Sequence, residues 1–178
     1  FRDDIPDKVF AKPENYRLYS SRLTAFIKRC ISKNDALLDF YRGYVAHIIA
    51  DELFVLSVRQ EFCDTMKKLG IEQENSLFFK YIVGDMTRND MLLIARYDEM
   101  EKIRTTLEKA DAYAIEDYVS RQELLDSRDW LIRHYFIEKH DLLMPVYISY
   151  ERTTAYINQA AEVIVERLTD NISLPRMF

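Results

Sequence analysis

Two polar side chains, His47 and Asp51, lie four residues apart within an otherwise apolar stretch of the chain. Because an α-helix has about 3.6 residues per turn, this spacing places both side chains on one helix face, one turn apart. An imidazole nitrogen and a carboxylate oxygen in this arrangement can bind the same metal ion. Gly43 lies one turn earlier on that face, where the missing side chain leaves room for an ion's ligands or for another backbone. The pattern predicts a metal site.

The helix that carries this pair is predicted to be central and buried. Residues 35–59 are apolar around most of the helix circumference. Burying an unpaired, ionised carboxylate costs several kcal/mol, so we expect Asp51 to have a basic side chain or a metal ion as its partner. Two other interpretations of the pair remain open, namely a hydrogen-bonded His–Asp pair in the core and a solvated edge of the helix.

The string FYRGYVAHIIADELF, residues 40–54, resembles a motif of the zinc-dependent phospholipase C-like family of bacterial proteins. The resemblance implies an all-helical fold related to the secreted zinc phospholipases C and the single-strand-specific nucleases. In that family a G-Y-x-x-H-x-x-x-D helix supplies zinc ligands, which correspond here to His47 and Asp51. The implied activity is zinc-dependent hydrolysis of a phosphoric ester, with a lipid headgroup ester or a nucleotide as substrate.

A second stretch, residues 78–93 (FFKYIVGDMTRNDMLL), is similar to the family region that follows the motif, with Asp85 and Asn89 as its polar positions. The resemblance implies that Asp85 is a further zinc ligand or is hydrogen-bonded to one. The other interpretation of Asp85 is a solvated residue at a helix end.

The chain departs from the family pattern in two places. The family's other ligands come largely from upstream residues; this chain begins at Phe1 without Met, so we expect part of the natural domain to precede it. Residues 52–68 contain no His, so we expect one or two zinc ions rather than three. The alternative function is a non-catalytic helical interaction or regulatory protein that retains the fold with a degenerate metal site.

A second group of possible ligands lies near residue 140. His134 and Glu138 repeat the four-residue spacing, and His140 and Asp141 follow. An HD-type phosphohydrolase also uses a helical His/Asp metal site, but that family needs a separate upstream His and a distant downstream Asp. Here the neighbouring positive charges of Arg133 and Lys139 disfavour a bound cation. The sequence favours a surface helix end in which His and Lys side chains complement the helix dipole.

Composition predicts the elements that must position these residues. Three Gly and four Pro among 178 residues are too few for the many turns of a sandwich, a barrel or a doubly wound sheet. We therefore predict an all-α fold, with one helical domain over residues 1–178 and about seven helices packed as a bundle. Apolar periodicity and helix signals place these helices at about 13–30, 35–59, up to 70, 75–85, 88–109, 120–137 and 149–169. The signals are Pro13 in a first turn, Asn34 as an N-cap, Gly70 after a helix end, and two capping-box patterns, Thr87 with Asp90 and Ser120 with Glu123.

Charge and hydropathy narrow the classes of partner and location. The net charge is −5 and no three basic residues are consecutive, which argues against a nucleic-acid interface of the basic-patch kind. No stretch reaches the roughly 20 apolar residues of a membrane span. Two cysteines are too few for a disulfide framework, so we expect reduced thiols and a cytoplasmic location.

Overall fold

Helices form nearly all of the regular structure of the protein. The computed structural model describes residues 4–31 and 38–169. Within these ranges the only β-type pairing is an isolated antiparallel bridge between Ile115 and Val119, so the all-α prediction is confirmed. The helices are α1 (Asp7–Phe10), α2 (Pro13–Ile31), α3 (Leu38–Leu56), α4 (Val58–Lys68), α5 (Ser76–Arg96), α6 (Met100–Lys109), α7 (Arg121–Ile132) and α8 (Tyr150–Thr169), and a π-helical segment, Arg133–Ile137, continues α7.

Helix ends follow local sequence signals where those signals are strong. Pro13 occupies the first position of α2, where its missing N–H costs no hydrogen bond. Gly70 follows α4 with a φ of 72°, a left-handed conformation that glycine adopts without strain. Ser120 and Glu123 form a capping box, in which the side chain of each accepts a hydrogen bond from the other's backbone N–H.

Two of the predicted helix boundaries are wrong. The helix predicted over 35–59 ends at Leu56, and α4 begins at Val58 after a break at Ser57, whose φ and ψ are −125° and −87°. The Ser57 hydroxyl donates to the Leu53 carbonyl at 2.6 Å. No Gly or Pro lies at this break, so the sequence carries no strong signal for it. The break predicted between the helices at 75–85 and 88–109 is also misplaced. Helix α5 continues through Thr87 to Arg96, and α6 begins at Met100. Asn34, the predicted N-cap of the central helix, lies outside the described residues.

The chain divides into two compact units. The first comprises Phe1–Gly70 with Glu151–Phe178, and the second comprises Ile71–Tyr150. Two compact units can belong to one cooperative domain or to two domains, so the single domain over residues 1–178 stays a prediction.

Aromatic and aliphatic side chains form the core of the first unit. The Phe10 ring meets Tyr19 edge-on with ring centroids 5.1 Å apart, a favoured aromatic geometry. A bidentate ion pair joins α8 to α4, with Arg152 Nε 2.7 Å from Glu61 Oε2 and Nη2 2.8 Å from Oε1. The buried apolar residues of this unit include Leu23, Phe26, Val45, Ile49, Val55, Phe62, Met66 and Ala160.

The second unit has its own core along α5. Phe78, Ile82 and Leu92 are at most 3% exposed and lie on one side of that helix. Ile115 and Ile148, from the segments between later helices, are also buried. No helix in residues 4–31 and 38–169 is long and apolar enough to cross a membrane.

Candidate functional site

The predicted ligand pair lies near the middle of α3. His47 Nε2 is 3.8 Å from Asp51 Oδ2, and the two side chains are 70% and 60% exposed. The one-turn geometry expected from the spacing is therefore present, and both ligand atoms are accessible to solvent. Within the described part of the chain, no third His, Cys, Asp or Glu completes a three-ligand cluster with this pair.

The prediction that Asp51 is buried is wrong. The buried face of α3 consists of Val45, Ile49, Glu52 and Val55, which recur every three or four residues as one helical stripe. Asp51 lies outside this stripe. Apolar residues occur around most of the α3 circumference, but only one stripe of the helix is buried. Water therefore solvates the Asp51 carboxylate, which needs no partner.

Glu52, adjacent to Asp51, is the carboxylate that α3 buries, with 1% of its surface exposed. Tyr16 donates its hydroxyl to Oε1 at 2.6 Å and Tyr19 donates to Oε2 at 3.2 Å. The Arg167 guanidinium reaches both oxygens at 3.2–3.3 Å. Burial, reinforced by the adjacent Glu52 charge, raises the pKa of both tyrosines, so these phenols remain protonated donors. All four groups satisfy one another, and the arrangement is structural.

Sequence reasoning missed Glu52 because its partners are remote along the chain. Tyr16 and Arg167 lie 36 and 115 residues from it. The only local hint is the three-residue spacing of Tyr16 and Tyr19, which places two hydroxyls on one face of α2.

Asp85 lies within α5 and in the second unit, with a side chain 1% exposed. The interpretation of a solvated residue at a helix end is therefore wrong. Its carboxylate accepts the backbone N–H groups of residues 146–148 at 2.5–2.9 Å and the Arg88 guanidinium at 3.1 Å. One turn later, the Asn89 amide donates to the Ile148 carbonyl at 2.8 Å. Four donors thus occupy the Asp85 oxygens, and its role as a zinc ligand stays a prediction.

An apolar groove of about 410 Å³ lies within the second unit. Side chains of α5, α6 and α7 line it, together with Tyr135 and Phe136 from the π-helical segment. Asp90 supplies a carboxylate to this groove and accepts the Tyr135 hydroxyl at 3.0 Å. Burial raises the pKa of Asp90, an effect that the Tyr135 hydrogen bond partly offsets, and burial beside Asp90 raises the pKa of Tyr135 to about 12.

Three ligand-type side chains converge at the end of the π-helical segment. His134 Nδ1 is 3.1 Å from Glu138 Oε2 and His140 Nε2 is 3.9 Å from the same oxygen. The two histidine side chains are 25% and 23% exposed. Their rings meet edge-on, with centroids 4.6 Å apart and an interplanar angle of 68°. The predicted surface helix end is therefore a partly enclosed His–Glu–His cluster.

No protein-family model, curated protein or solved structure matches this chain. Membership of the zinc-dependent phospholipase C-like family therefore stays a prediction, resting on residues 40–54 and 78–93.

Proposed function

We propose that the protein is a zinc-dependent hydrolase of a phosphoric ester, with a phospholipase C/nuclease-like helical fold. The observation that carries the proposal is the His47–Asp51 pair, which combines the family-like string at residues 40–54 with side chains accessible on one face of α3. We propose a cytoplasmic location and one or two zinc ions for the same protein.

The donor chemistry of the pair fits zinc. Imidazole nitrogen and carboxylate oxygen are both zinc ligands, and two ligands of one tetrahedral zinc are about 3.3 Å apart. The present separation of 3.8 Å closes to that value by small side-chain rotations, which exposed residues make at little cost. The pair supplies two ligands among the described residues, whereas a typical catalytic zinc has three protein ligands and one open position.

Zinc, when bound, lowers the pKa of its water towards 7 and polarises a phosphoryl oxygen. His47 and Asp51 would act as ligands and not as proton carriers. Their exposure supports access by a small substrate such as a lipid headgroup ester or a nucleotide. The Asp85 carboxylate of the second unit accepts four donors, so it could bind zinc only if those hydrogen bonds were exchanged for the metal.

Zinc content and activity test the proposal together. The 178-residue chain, loaded with zinc and dialysed, is compared with the His47→Ala/Asp51→Ala double variant by elemental analysis and by hydrolysis of bis-p-nitrophenyl phosphate. Asp39→Ala is the matched control, because Asp39 is an exposed carboxylate on the same helix. We expect the double variant to contain at least about 0.5 zinc per chain less than the wild type and the control, and to lose the activity.

Equal zinc content in the wild type and in a folded double variant would overturn the metal assignment. Zinc that is lost in the double variant, without hydrolysis by the wild type, would instead support the non-catalytic alternative with a degenerate metal site. Two observations favour that alternative as the second candidate: the pair has only two ligands among the described residues, and the second unit contains an apolar groove suited to an apolar ligand.

A further inference from the structure

The π-helical segment positions the His–Glu–His cluster. Its defining hydrogen bond runs from the Glu138 N–H to the Arg133 carbonyl at 2.9 Å, five residues back. This turn is wider than an α-helical turn, and π-helical turns occur frequently at functional sites because they displace side chains from the regular helical register. His134 lies within the segment, Glu138 ends it, and His140 follows two residues later.

The ligand atoms are already close to the spacing that one metal ion requires. One nitrogen or oxygen atom from each of the three side chains lies within 4.8 Å of the other two. The 3.1 Å between His134 Nδ1 and Glu138 Oε2 is close to the roughly 3.3 Å of two ligands on one tetrahedral zinc. The 3.9 Å between His140 Nε2 and the same carboxylate oxygen requires a movement of less than 1 Å.

Neighbouring groups hold the cluster in place. The Trp130 ring stacks on the His134 ring at 4.8 Å with an interplanar angle of 13°, which orients the imidazole. Both imidazoles are about three quarters covered, whereas Glu138 is 46% exposed. A metal ion held here would therefore have partly enclosed nitrogen ligands on one side and access to water on the other.

Two interactions compete with a metal ion, and both can be exchanged. Arg133 Nε lies 3.6 Å from Glu138 Oε1, so the guanidinium contacts the oxygen that does not face the histidines. The Arg133 side chain is 65% exposed, and a solvated ion pair of this kind is worth at most about 1 kcal/mol. His140 Nε2 is 2.7 Å from the His134 carbonyl; on binding a metal through Nε2, the neutral ring carries its proton on Nδ1 instead.

We propose that His134, Glu138 and His140 bind one divalent transition-metal ion, with zinc as the probe, at a site separate from His47 and Asp51. The two-imidazole, one-carboxylate set suits zinc and leaves a fourth position for water or a ligand. The site does not depend on the proposed hydrolase activity.

Zinc affinity of the full 178-residue chain tests this site. Competition with a chromophoric chelator is measured for the wild type, His140→Ala and Glu138→Gln, and cobalt(II) absorption reports the coordination. Asp141→Asn is the matched control, because Asp141 is an exposed carboxylate next to His140. The His47→Ala/Asp51→Ala variant serves as the background in which the cluster is the remaining site.

In that background we expect one zinc ion per chain, bound at least about tenfold more weakly after His140→Ala or Glu138→Gln and unchanged after Asp141→Asn. Circular dichroism confirms folding, and Glu138→Gln preserves side-chain size if His140→Ala unfolds the segment. Equal zinc affinity in the folded cluster variants, or no zinc in this background, would overturn the inference. The second result would leave the three side chains as a hydrogen-bonded helix end. Zinc that is lost only with His47 and Asp51 would support the hydrolase site while overturning this one.

Discussion

Glu52 illustrates how a single buried charge depends on its partners. Two tyrosine hydroxyls and the Arg167 guanidinium surround the carboxylate, and the Arg167 side chain is only 13% exposed. A buried ion pair gives little net stability relative to an apolar replacement, but removing one partner leaves the other charge buried and unpaired. The cluster therefore contributes more to the specific packing of α2, α3 and α8 than to the free energy of unfolding.

We expect Glu52→Ala to lower the free energy of unfolding by about 3–5 kcal/mol, because Arg167 would lose its counter-charge. Urea denaturation followed by circular dichroism measures the change. The control is Asp51→Ala in chelator-containing buffer, which should change stability by less than about 0.5 kcal/mol because Asp51 is exposed. If the Glu52 variant fails to fold, Glu52→Gln gives a milder test. Equal effects at positions 51 and 52 would contradict the assigned burial.

Among the helices, α5 differs most from its predicted bounds. Thr87 and Asp90 match a capping-box pattern, yet α5 continues through them to Arg96. Asp85 and Asn89, one turn apart, instead bind the backbone of residues 146–148. These two side chains in the interior of α5 hold an irregular segment in place. They supply hydrogen-bond partners to backbone groups that lie in no helix or strand.

We expect Asp85→Asn to destabilise the protein by at least about 2 kcal/mol, because one amide oxygen cannot accept all the N–H groups that the carboxylate accepts. Thermal and urea unfolding in chelator-containing buffer measure this loss. Asp98→Asn, an exposed position just beyond α5, is the control and should be neutral. A variant of wild-type stability that binds less zinc would show instead that Asp85 is a metal ligand.

The molecule as a whole contains a continuous unit inserted into a discontinuous one. Ile71–Tyr150 is a single stretch of chain, whereas the first unit needs residues from both ends. Local and continuous contacts lower the entropic cost of folding. The Asp85 contacts to residues 146–148 also close the second unit on itself.

We expect the isolated fragment 71–150 to fold cooperatively, with helical circular dichroism and dispersed amide resonances. The fragment 1–70 should not, because Glu52 would lack the Arg167 guanidinium. Cooperative urea unfolding of the isolated 71–150 fragment would establish two domains in place of the predicted single domain. An unstructured 71–150 fragment would support the predicted single domain over residues 1–178.

The sequence alone determined the features that depend on neighbouring residues. The scarcity of Gly and Pro predicted an all-α chain, and Pro13, Gly70 and the Ser120–Glu123 box marked helix ends, because propensity and capping act within a few residues. The four-residue spacing of His47 and Asp51 likewise predicted their shared helix face.

Tertiary structure decided which polar groups are buried and what they contact. Glu52 rather than Asp51 is enclosed, and the backbone partners of Asp85 lie 61–63 residues away. The His–Glu–His cluster depends on a π-helical turn that no local pattern signalled. Burial is a property of the whole packed chain, since a side chain loses water only when distant segments cover it, and a helical period can show which residues share a face but not which face is covered.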